Sequence, residues 1–273
     1  MIRNNKLFKP KEIVLSNGKV VLQPRSKTVP IILLLLIFSY WAVQITGFNM
    51  TTLIRRGNQF FVLLEAMIPP NTAYLPRIIG PLFDTIKMSL LGTFIGSVLA
   101  IPFAIIASSN LVKSPLIISI SRFFISLLRT FPTLIVALVA TYIFGLGTIA
   151  GTTAITIFTF SFVGKLLYEQ IETVEMGAYE AMEAMGTNKT KSFVVAIAPQ
   201  VFPIYISNVL FCFEGNVRHA AILGYVGAGG IGLILNEKLG WREYENVGMI
   251  LVALFVAVFV IETISRYIRS KLI

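Results

Sequence analysis

The sequence is poor in the residues that build metal centres and covalent active sites. Cys212 is the only cysteine and His219 the only histidine among 273 residues. These counts exclude an internal disulfide and a zinc site made of several His and Cys ligands. The chain also lacks a G-x-x-x-x-G-K-[S/T] sequence, the phosphate-binding loop of many ATPases. Energy from ATP would therefore have to enter through another subunit.

Charged residues are scarce as well. They make up 13% of the chain against 56% hydrophobic residues, and the mean hydropathy is +0.81. A soluble globular domain carries about 25% charged residues, so this composition predicts a multispanning membrane protein in contact with lipid. The formal net charge is +10. The Lys and Arg are scattered through tails and loops, which does not favour nucleic acid as a partner.

Long uncharged runs predict the membrane spans. A helix needs about 20 apolar residues to cross the bilayer. The run from Thr130 to Gly164 contains Gly145, Gly147 and Gly151 and predicts two spans joined by a tight turn. With it, the runs give six spans in an all-α fold: about 30–48, one within Met88–Lys113, two within Thr130–Gly164, Ser192–Phe213, and one with its core at Asn246–Ile261.

The distribution of positive charge predicts the orientation of these spans. With residues 1–29 as a cytoplasmic tail, sixteen of the 23 Lys and Arg lie on the cytoplasmic side and seven elsewhere. Residues 108–130, 165–192 and 262–273 are then cytoplasmic too. Residues 30–79 hold the first span and an outer loop, in which residues 58–74 are expected to have no regular structure.

Residues 116–130 are apolar but contain Arg122 and Arg129, seven positions apart on one helical face. This pattern favours a helix in the membrane interface that leads into the third span at Pro132. The alternative is that these residues form the first half of one long tilted span.

A short polar segment interrupts the apolar sequence between Gly164 and Ser192 and predicts an amphipathic helix. Gly186 follows its last apolar residue, where a left-handed C-terminal cap favours glycine, and residues 187–189 form the exit turn. The predicted apolar face is Ile171, Val174, Ala178, Ala181, Met182 and Met185, and the acidic face is Glu172, Glu175, Glu180 and Glu183.

A glycine-rich segment follows the fifth span. Residues 227–232 read G-A-G-G-I-G and match the dinucleotide-binding fingerprint, but a chain of membrane helices offers none of the strand–helix context that this fingerprint needs. Irregular backbone at membrane depth is tolerated where it lines a cavity. Irregular backbone that lines a cavity is therefore expected at Gly224, Gly227, Gly229, Gly230 and Gly232.

Charged residues next to that segment are further candidates. Glu214 and Arg218 lie four positions apart, so on a continuing helix they share a face, with His219 beside them. One interpretation is a structural ion pair that fixes the fifth span. The other is that Arg218 adds positive potential to the path of an anionic substrate. Lys87 is a second candidate for the path, unless its side chain extends to the lipid headgroups.

The polar segment resembles the cytoplasmic EAA loop of ATP-binding-cassette (ABC) importer permeases. That loop reads E-A-A, three residues, G, nine residues, I-x-L-P; here Glu180-Ala181, Gly186 and Pro199 match, while Met182, Ala196 and Ala198 depart from it. Residues 84–110, 129–151 and 214–232 are similar to the phosphonate/phosphite branch of these permeases.

The resemblance covers about residues 80–268 and implies a type I ABC importer permease fold, with a coupling loop at about 166–191 and a C-terminal cytoplasmic tail at 269–273. In this family the loop supplies a coupling helix, here within residues 173–186, that contacts the nucleotide-binding subunit. The residues implied for that contact are Glu175, Tyr179, Glu180, Ala181, Glu183, Ala184 and Gly186.

The resemblance further implies a transport subunit without its own ATPase site, metal or cofactor, in the cell membrane with both termini cytoplasmic. ATP and Mg²⁺ would bind the partner nucleotide-binding subunits. Other implied partners are an extracytoplasmic binding protein and a second copy or paralogue of the permease. The implied cargo is a phosphonate, phosphite or related phosphorus oxyanion. The resemblance also implies that the glycine-rich segment, from Gly224 to Gly232, lies at the outer end of the translocation path as a candidate gate.

Other functions remain as alternatives to this expectation. An ABC permease for another small solute fits the same motifs. An ion-gradient-driven transporter would be expected to show internal repeats and coupling carboxylates, whereas Glu214 is the only evident deep acid. A membrane enzyme would need a nucleophile beside Glu214, Arg218 and His219, and Cys212 is the sole candidate.

Overall fold

A computed structural model describes residues 12–14, 18–22 and 28–272. Much of the predicted N-terminal tail, residues 1–29, therefore lies outside the described residues. The chain divides into two compact units, one up to Val62 and the other from Leu63. Eleven α-helices make up most of the described part.

The first unit contains a short hairpin and the first long helix. Strand β1 (Glu12–Val14) pairs antiparallel with β2 (Val20–Leu22), with Ile13 opposite Val21. Apart from these six residues, the described chain has the predicted all-α character. Helix α1 (Thr28–Thr46) confirms the first predicted apolar helix, and it ends at Gly47, whose φ of +63° suits a glycine cap.

Helix α2 (Met50–Ala66) contradicts the prediction that residues 58–74 lack regular structure. Its start is capped by Asn49, whose side-chain oxygen accepts hydrogen bonds from the backbone N–H of Thr51 at 2.9 Å and of Thr52 at 3.3 Å. Arg55 and Arg56 interrupt the uncharged run without interrupting the helical periodicity. The prediction was wrong because it looked for helices only in runs without charged residues, and α2 contains two arginines.

Helix α3 (Leu75–Ala107) is much longer than the span predicted within Met88–Lys113. It follows a 3₁₀ turn at Thr72–Tyr74 and contains Pro81. The Thr85 hydroxyl donates to the Pro81 carbonyl at 2.9 Å, so this side chain is paired with the backbone one turn earlier in the same helix.

Helices α4 (Pro115–Thr130) and α5 (Thr133–Phe144) are separate and meet at an 87° bend. The bend shows that the two helices do not form one straight tilted helix, and it agrees with a distinct helix over 116–130, whose interfacial position stays a prediction. Helix α5 has 12 residues and is about 18 Å long, too short to cross alone a bilayer core about 30 Å thick. By length and composition, five described helices suit a membrane, or six if the bent pair forms one span.

Helix α6 (Thr148–Glu172) follows the predicted tight turn and packs closely on α3. Small residues allow this approach. A Cβ on Gly92 would lie 2.7 Å from Ile155 Cγ2, and one on Gly96 would lie 2.5 Å from the Thr156 carbonyl oxygen. The two helices therefore form a tightly joined pair.

The remaining elements complete the second unit. Helix α9 (Ala198–Leu223) continues ten residues beyond the predicted end of its span because Glu214 and Arg218 are accommodated within the helix. The elements are α7 (Gly177–Ala184), α8 (Lys189–Ser192), a π-helical turn (Phe193–Ile197), α9 (Ala198–Leu223), a 3₁₀ turn (Gly224–Val226), α10 (Ile231–Gly240) and α11 (Tyr244–Leu272).

The largest hydrophobic cluster includes side chains of α3, α4, α6, α7 and α9. Tyr179 of α7 belongs to it together with Ile125 of α4, Ile171 of α6 and Val201 of α9. The short helix α7 is thus anchored in the same core as the long helices.

Candidate functional site

The polar segment after α6 forms the separate short helix α7. The backbone turns at residues 173–176, so the prediction of one helix from Ile171 to Met185 is wrong. At the far end, Gly186 N–H donates to the Glu183 carbonyl at 2.9 Å and Thr187 N–H to the Met182 carbonyl at 3.1 Å. With a φ of +82° at Gly186, these bonds form a Schellman motif and confirm the predicted glycine cap.

Helix α7 buries only part of the predicted apolar face. Tyr179 is 6% exposed, and Met182 packs against the same cluster. Met185 is 76% exposed, and Ala181 and Ala184 are exposed as well. The helix therefore presents small side chains and one protruding methionine outward, a surface that another protein can approach closely.

Acidic side chains border this surface. Glu175, Glu180 and Glu183 are exposed, and the Tyr179 hydroxyl donates to Glu183 Oε1 at 3.1 Å. Burial and the nearby carboxylate of Glu183 raise the pKa of Tyr179 above its ordinary value. Tyr179 is therefore a protonated donor at neutral pH and fixes Glu183, whereas Glu175 and Glu180 add negative charge to the border.

A polar junction connects the end of α6 to α3 and α4. The Arg122 guanidinium pairs with the Glu172 carboxylate, and its Nε donates to the Ala107 carbonyl at 2.9 Å. Glu172 also accepts a hydrogen bond from the backbone N–H of Ser109 at 2.7 Å. One carboxylate thus joins the ends of α3 and α6 to the middle of α4, immediately before α7 begins.

Asn110 and Tyr168 complete this junction. Asn110 Nδ2 donates to the Ile171 carbonyl at 2.6 Å, and the Arg122 guanidinium lies 4.9 Å from the centre of the Tyr168 ring. Sequence reasoning placed Arg122 on a polar helical face and Glu172 on an acidic one. It missed their pairing because 50 residues separate them in the chain.

The glycine-rich segment has the irregular backbone that its composition predicts. Gly227, Gly229 and Gly230 have φ values of +76°, +80° and +71°. Gly147 N–H donates to the Gly227 carbonyl at 2.9 Å, and Ile231 N–H donates to Thr85 Oγ1 at 2.7 Å. The segment is therefore fixed between the α5–α6 turn and α3.

Close packing, rather than a wide cavity, surrounds these glycines. A Cβ on Gly224 would lie 2.1 Å from the Gly232 carbonyl carbon, and one on Gly230 would lie 2.5 Å from Thr85 Oγ1. Gly224, Gly229 and Gly232 are buried, while Gly227 and Gly230 are half-buried. The segment is a joint between helices, and its place at the outer end of a path stays a prediction.

The buried carboxylate of Glu214 has two basic partners. Arg218 Nη2 lies 3.5 Å from Glu214 Oε1, which forms the ion pair that their spacing predicts. Arg269 Nη2 lies 3.1 Å from Glu214 Oε2. Sequence reasoning assigned Arg269 to a C-terminal tail, but it lies on α11. The Glu214 cluster, defined as Glu214, Arg218 and Arg269, therefore joins α9 to α11.

This cluster keeps a net positive charge because two guanidinium groups face one carboxylate. The Glu214 side chain is 7% exposed and that of Arg269 25% exposed, whereas Arg218 is 50% exposed. Arg269 also lies 5.8 Å from the centre of the Phe211 ring. Arg269 is the more enclosed partner and shares the single negative charge of Glu214 with Arg218. The positive charge of Arg218 is therefore not fully neutralised.

The other predicted path residues do not take part in the ion pairs of this cluster. The His219 ring packs edge-to-face on Phe158, with 5.6 Å between ring centres. Lys87 pairs with Asp84 at 3.5 Å on α3, and its side chain is 68% exposed. Within the described residues, no three His, Cys, Asp or Glu side chains are grouped as a metal site.

Asn216 is a buried polar residue that sequence reasoning overlooked. Its Nδ2 donates to Thr93 Oγ1 at 2.8 Å and to Thr159 Oγ1 at 2.9 Å. Cys212 is buried beside Thr159, with 3.7 Å between Sγ and Oγ1. Asn216 therefore connects α3, α6 and α9, and a buried amide amid apolar residues is the signal that could have identified it.

Comparison with known proteins assigns a family to this arrangement. Residues 100–272 match the family described as the binding-protein-dependent transport system inner membrane component. The chain belongs to this family. The matched region of the permease includes α7, the glycine-rich segment and the Glu214 cluster, whereas α1 and α2 precede it.

The permease has relatives among phosphorus transport proteins. It is 31% identical to the phosphite transport system permease protein PtxC of Stutzerimonas stutzeri over 81% of this chain and 80% of that protein. It is 35% identical to the phosphate-import permease protein PhnE of Mycolicibacterium smegmatis over 77% of this chain and 40% of that protein. It is 42% identical to the putative phosphite transport system permease protein HtxE of Stutzerimonas stutzeri over 55% of this chain and 57% of that protein. The chain therefore spans less than two thirds of the length of PhnE and of HtxE.

Solved structures support the fold of the permease. The inward-facing MetNI methionine ABC transporter contains a chain that superposes with a TM-score of 0.65 at 19% identity, over 74% of this chain and 99% of that chain. An amino acid ABC transporter gives a TM-score of 0.61 at 20% identity, over 73% of this chain and 95% of that chain. These matches confirm the predicted ABC importer permease fold.

Proposed function

We propose that this chain is the membrane-spanning permease subunit of an ABC importer for a phosphonate, phosphite or related phosphorus oxyanion. The observation that carries the proposal is the 31% identity to a phosphite permease over 80% of that relative's length. The Glu214 cluster is compatible with such a cargo because its excess positive charge attracts anions.

Helix α7 is the proposed coupling helix. Ala181, Ala184 and Gly186 allow close approach by a nucleotide-binding subunit, Met185 protrudes toward it, and the glutamates meet basic side chains at the rim. A displacement of α7 reaches the long helices through the buried Tyr179 and through the Arg122–Glu172 junction. Through these contacts the partner's ATP cycle changes the packing of α3, α4 and α6.

The Glu214 cluster is the proposed electrostatic element of the path. Arg269 neutralises Glu214 from the enclosed side, and the half-exposed Arg218 provides positive potential to a passing anion. The glycine-rich segment is the proposed outer joint, and Lys87, paired with Asp84, is a secondary candidate near the same end. This chain itself makes and breaks no covalent bond.

Several partners complete the proposed importer. ATP and Mg²⁺ bind the nucleotide-binding subunits, substrate arrives on an extracytoplasmic binding protein, and a second permease copy or paralogue faces this one across the pore. The proposed orientation, with α7 and both termini in the cytoplasm, is supported by the positive-charge bias of the sequence.

Uptake by a reconstituted complex tests the proposal. The chain is co-purified with the products of its neighbouring genes, reconstituted into liposomes and supplied with labelled phosphite, with competition by phosphonates and by an amino acid. We expect uptake that needs both ATP and the binding protein and that only phosphorus oxyanions inhibit. ATP-driven uptake of another solute would overturn the substrate class. Transport by this chain alone in a proton or sodium gradient would overturn the importer.

A further inference from the structure

We infer that α2 is an interfacial helix that lies in the membrane surface where α1 ends, with its apolar face among the lipid acyl chains. This inference concerns a segment outside the matched family region and does not depend on the substrate or on the ATP-driven mechanism.

The sequence of α2 has a complete helical stripe of apolar residues. Successive members follow at steps of one or three positions, which places them on one face of the helix. Arg55 and Arg56 lie on the other side, together with Thr51, Thr52, Asn58 and Gln59, and with Val62 and Leu63 as the apolar residues of that side. The apolar stripe is Met50, Leu53, Ile54, Gly57, Phe60, Phe61 and Leu64.

The apolar stripe is fully presented to the surroundings. Ile54 is 73% exposed, Phe60 61% and Phe61 66%. The two phenylalanine rings contact each other edge-to-face, with 5.6 Å between their centres. A patch of large apolar side chains on this scale is unfavourable in water and needs an apolar environment.

The connection to α1 identifies that environment as lipid. Helix α1 has 19 residues, and its apolar sequence suits a membrane span. It ends at Gly47, and the Asn49 cap starts α2 only three residues after Thr46. Three residues reach about 10 Å, so α2 starts at the surface from which α1 emerges.

The polar face of α2 is complementary to that surface. Arg55 and Arg56 are adjacent and exposed in the first half of the helix, where their long side chains reach lipid phosphates while the apolar stripe enters the acyl region. The single acid, Glu65, lies at the far end. A lipid surface therefore satisfies both faces of α2 at once.

Spin labels measure this placement in the assembled complex. The buried Cys212 is replaced by alanine, and Phe60→Cys is compared with Gln59→Cys, its neighbour on the polar face. Leu53→Cys and Thr52→Cys form a second matched pair in case one variant folds poorly. Each complex is labelled in nanodiscs of phosphatidylethanolamine and phosphatidylglycerol, and collision rates with oxygen and with a water-soluble nickel chelate are measured.

We expect labels at positions 53 and 60 to collide more with oxygen than with the nickel chelate, and labels at 52 and 59 to show the reverse, with at least a threefold change in the ratio of the two rates. Equal ratios within each pair would overturn the inference in favour of a helix surrounded by water. Protection of positions 53 and 60 from both reagents would overturn it in favour of a protein partner.

Discussion

Arg269 at the end of α11 lies 3.1 Å from the Glu214 carboxylate of α9, across a separation of 55 residues in the chain. Glu214 is also the partner of Arg218. The contact changes the interpretation of the local Glu214–Arg218 pair, because a carboxylate shared between two guanidinium groups leaves positive charge at the more exposed one.

Arg218→Ala tests whether that charge serves transport. We expect uptake by the reconstituted complex to fall about tenfold, the lower end of the effect of a focused field on ligand association, while the amount of assembled complex changes little. Uptake is measured in liposomes, and the amount of assembled complex is measured in parallel by size-exclusion chromatography. Equal losses of uptake and assembly would favour a purely structural pair.

Arg269 is predicted to act through Glu214. In Arg269→Gln, Glu214 retains Arg218 as its only partner, the positive charge is neutralised, and uptake is expected to fall severalfold. Adding Glu214→Gln removes the competing carboxylate and is expected to restore most of the uptake. Thermal unfolding of both variants serves as the control, and a double variant that transports no better than Arg269→Gln would contradict this role.

Gly186→Val tests the coupling role of α7. The left-handed backbone at Gly186, with φ at +82°, costs an L-residue about 1–2 kcal/mol. We expect the variant to lose at least tenfold in uptake per ATP hydrolysed, or to fail to bind the nucleotide-binding subunit. Gly177→Ala is the control, because Gly177 begins the same helix without positive φ and with open space around its Cβ. Unaltered uptake and assembly in Gly186→Val would contradict coupling through α7.

Arg122→Ala tests the junction before α7. The change removes the partner of Glu172 and the hydrogen bond to the Ala107 carbonyl, and we expect coupled uptake to fall more than ATP hydrolysis. Arg129→Ala is the matched control on α4, since Arg129 is exposed and seven positions further on. Similar kinetics for the two variants would show that the junction does not transmit movement.

Gly224→Ala tests whether the glycine-rich segment is a tightly packed joint. The new Cβ would lie 2.1 Å from the Gly232 carbonyl carbon, and such overpacking costs about 1–3 kcal/mol. We expect a lower unfolding temperature of the complex in detergent. Gly215→Ala, on the helix α9 that precedes Gly224, has no heavy atom within 4 Å of its Cβ and serves as the control. An equal unfolding temperature for both variants would contradict close packing.

The sequence predicted those features of the fold that depend on neighbouring residues. The uncharged run around α1 and the glycines between α5 and α6 are local signals, and they correctly predicted the first apolar helix and the tight turn. Helix α5, however, is too short to be the separate span predicted before that turn. The start of α3 was missed because Arg77, Asp84 and Lys87 end the uncharged run, while the helix continues through them. Helix α2 was missed for the same reason.

The same difference between local and distant contacts applies to the candidate site. The cap at Gly186 and the Glu214–Arg218 pair arise within one turn of helix, so spacing alone predicted them. The pairing of Arg122 with Glu172 and that of Glu214 with Arg269 depend on how distant helices pack. No local pattern distinguishes these partners from the other basic residues of the chain.

Cross-linking at α7 tests the central claim that a nucleotide-binding subunit acts on this chain through that helix. With Cys212 replaced by alanine, Met185→Cys and Asn236→Cys each provide an exposed thiol, the first directly after the last residue of α7 and the second on α10. The account predicts that a short bifunctional maleimide links Met185→Cys to the nucleotide-binding subunit in a nucleotide-dependent yield and leaves Asn236→Cys unlinked to it. Cross-linking of Asn236→Cys to that subunit, with none at Met185→Cys, would contradict the account.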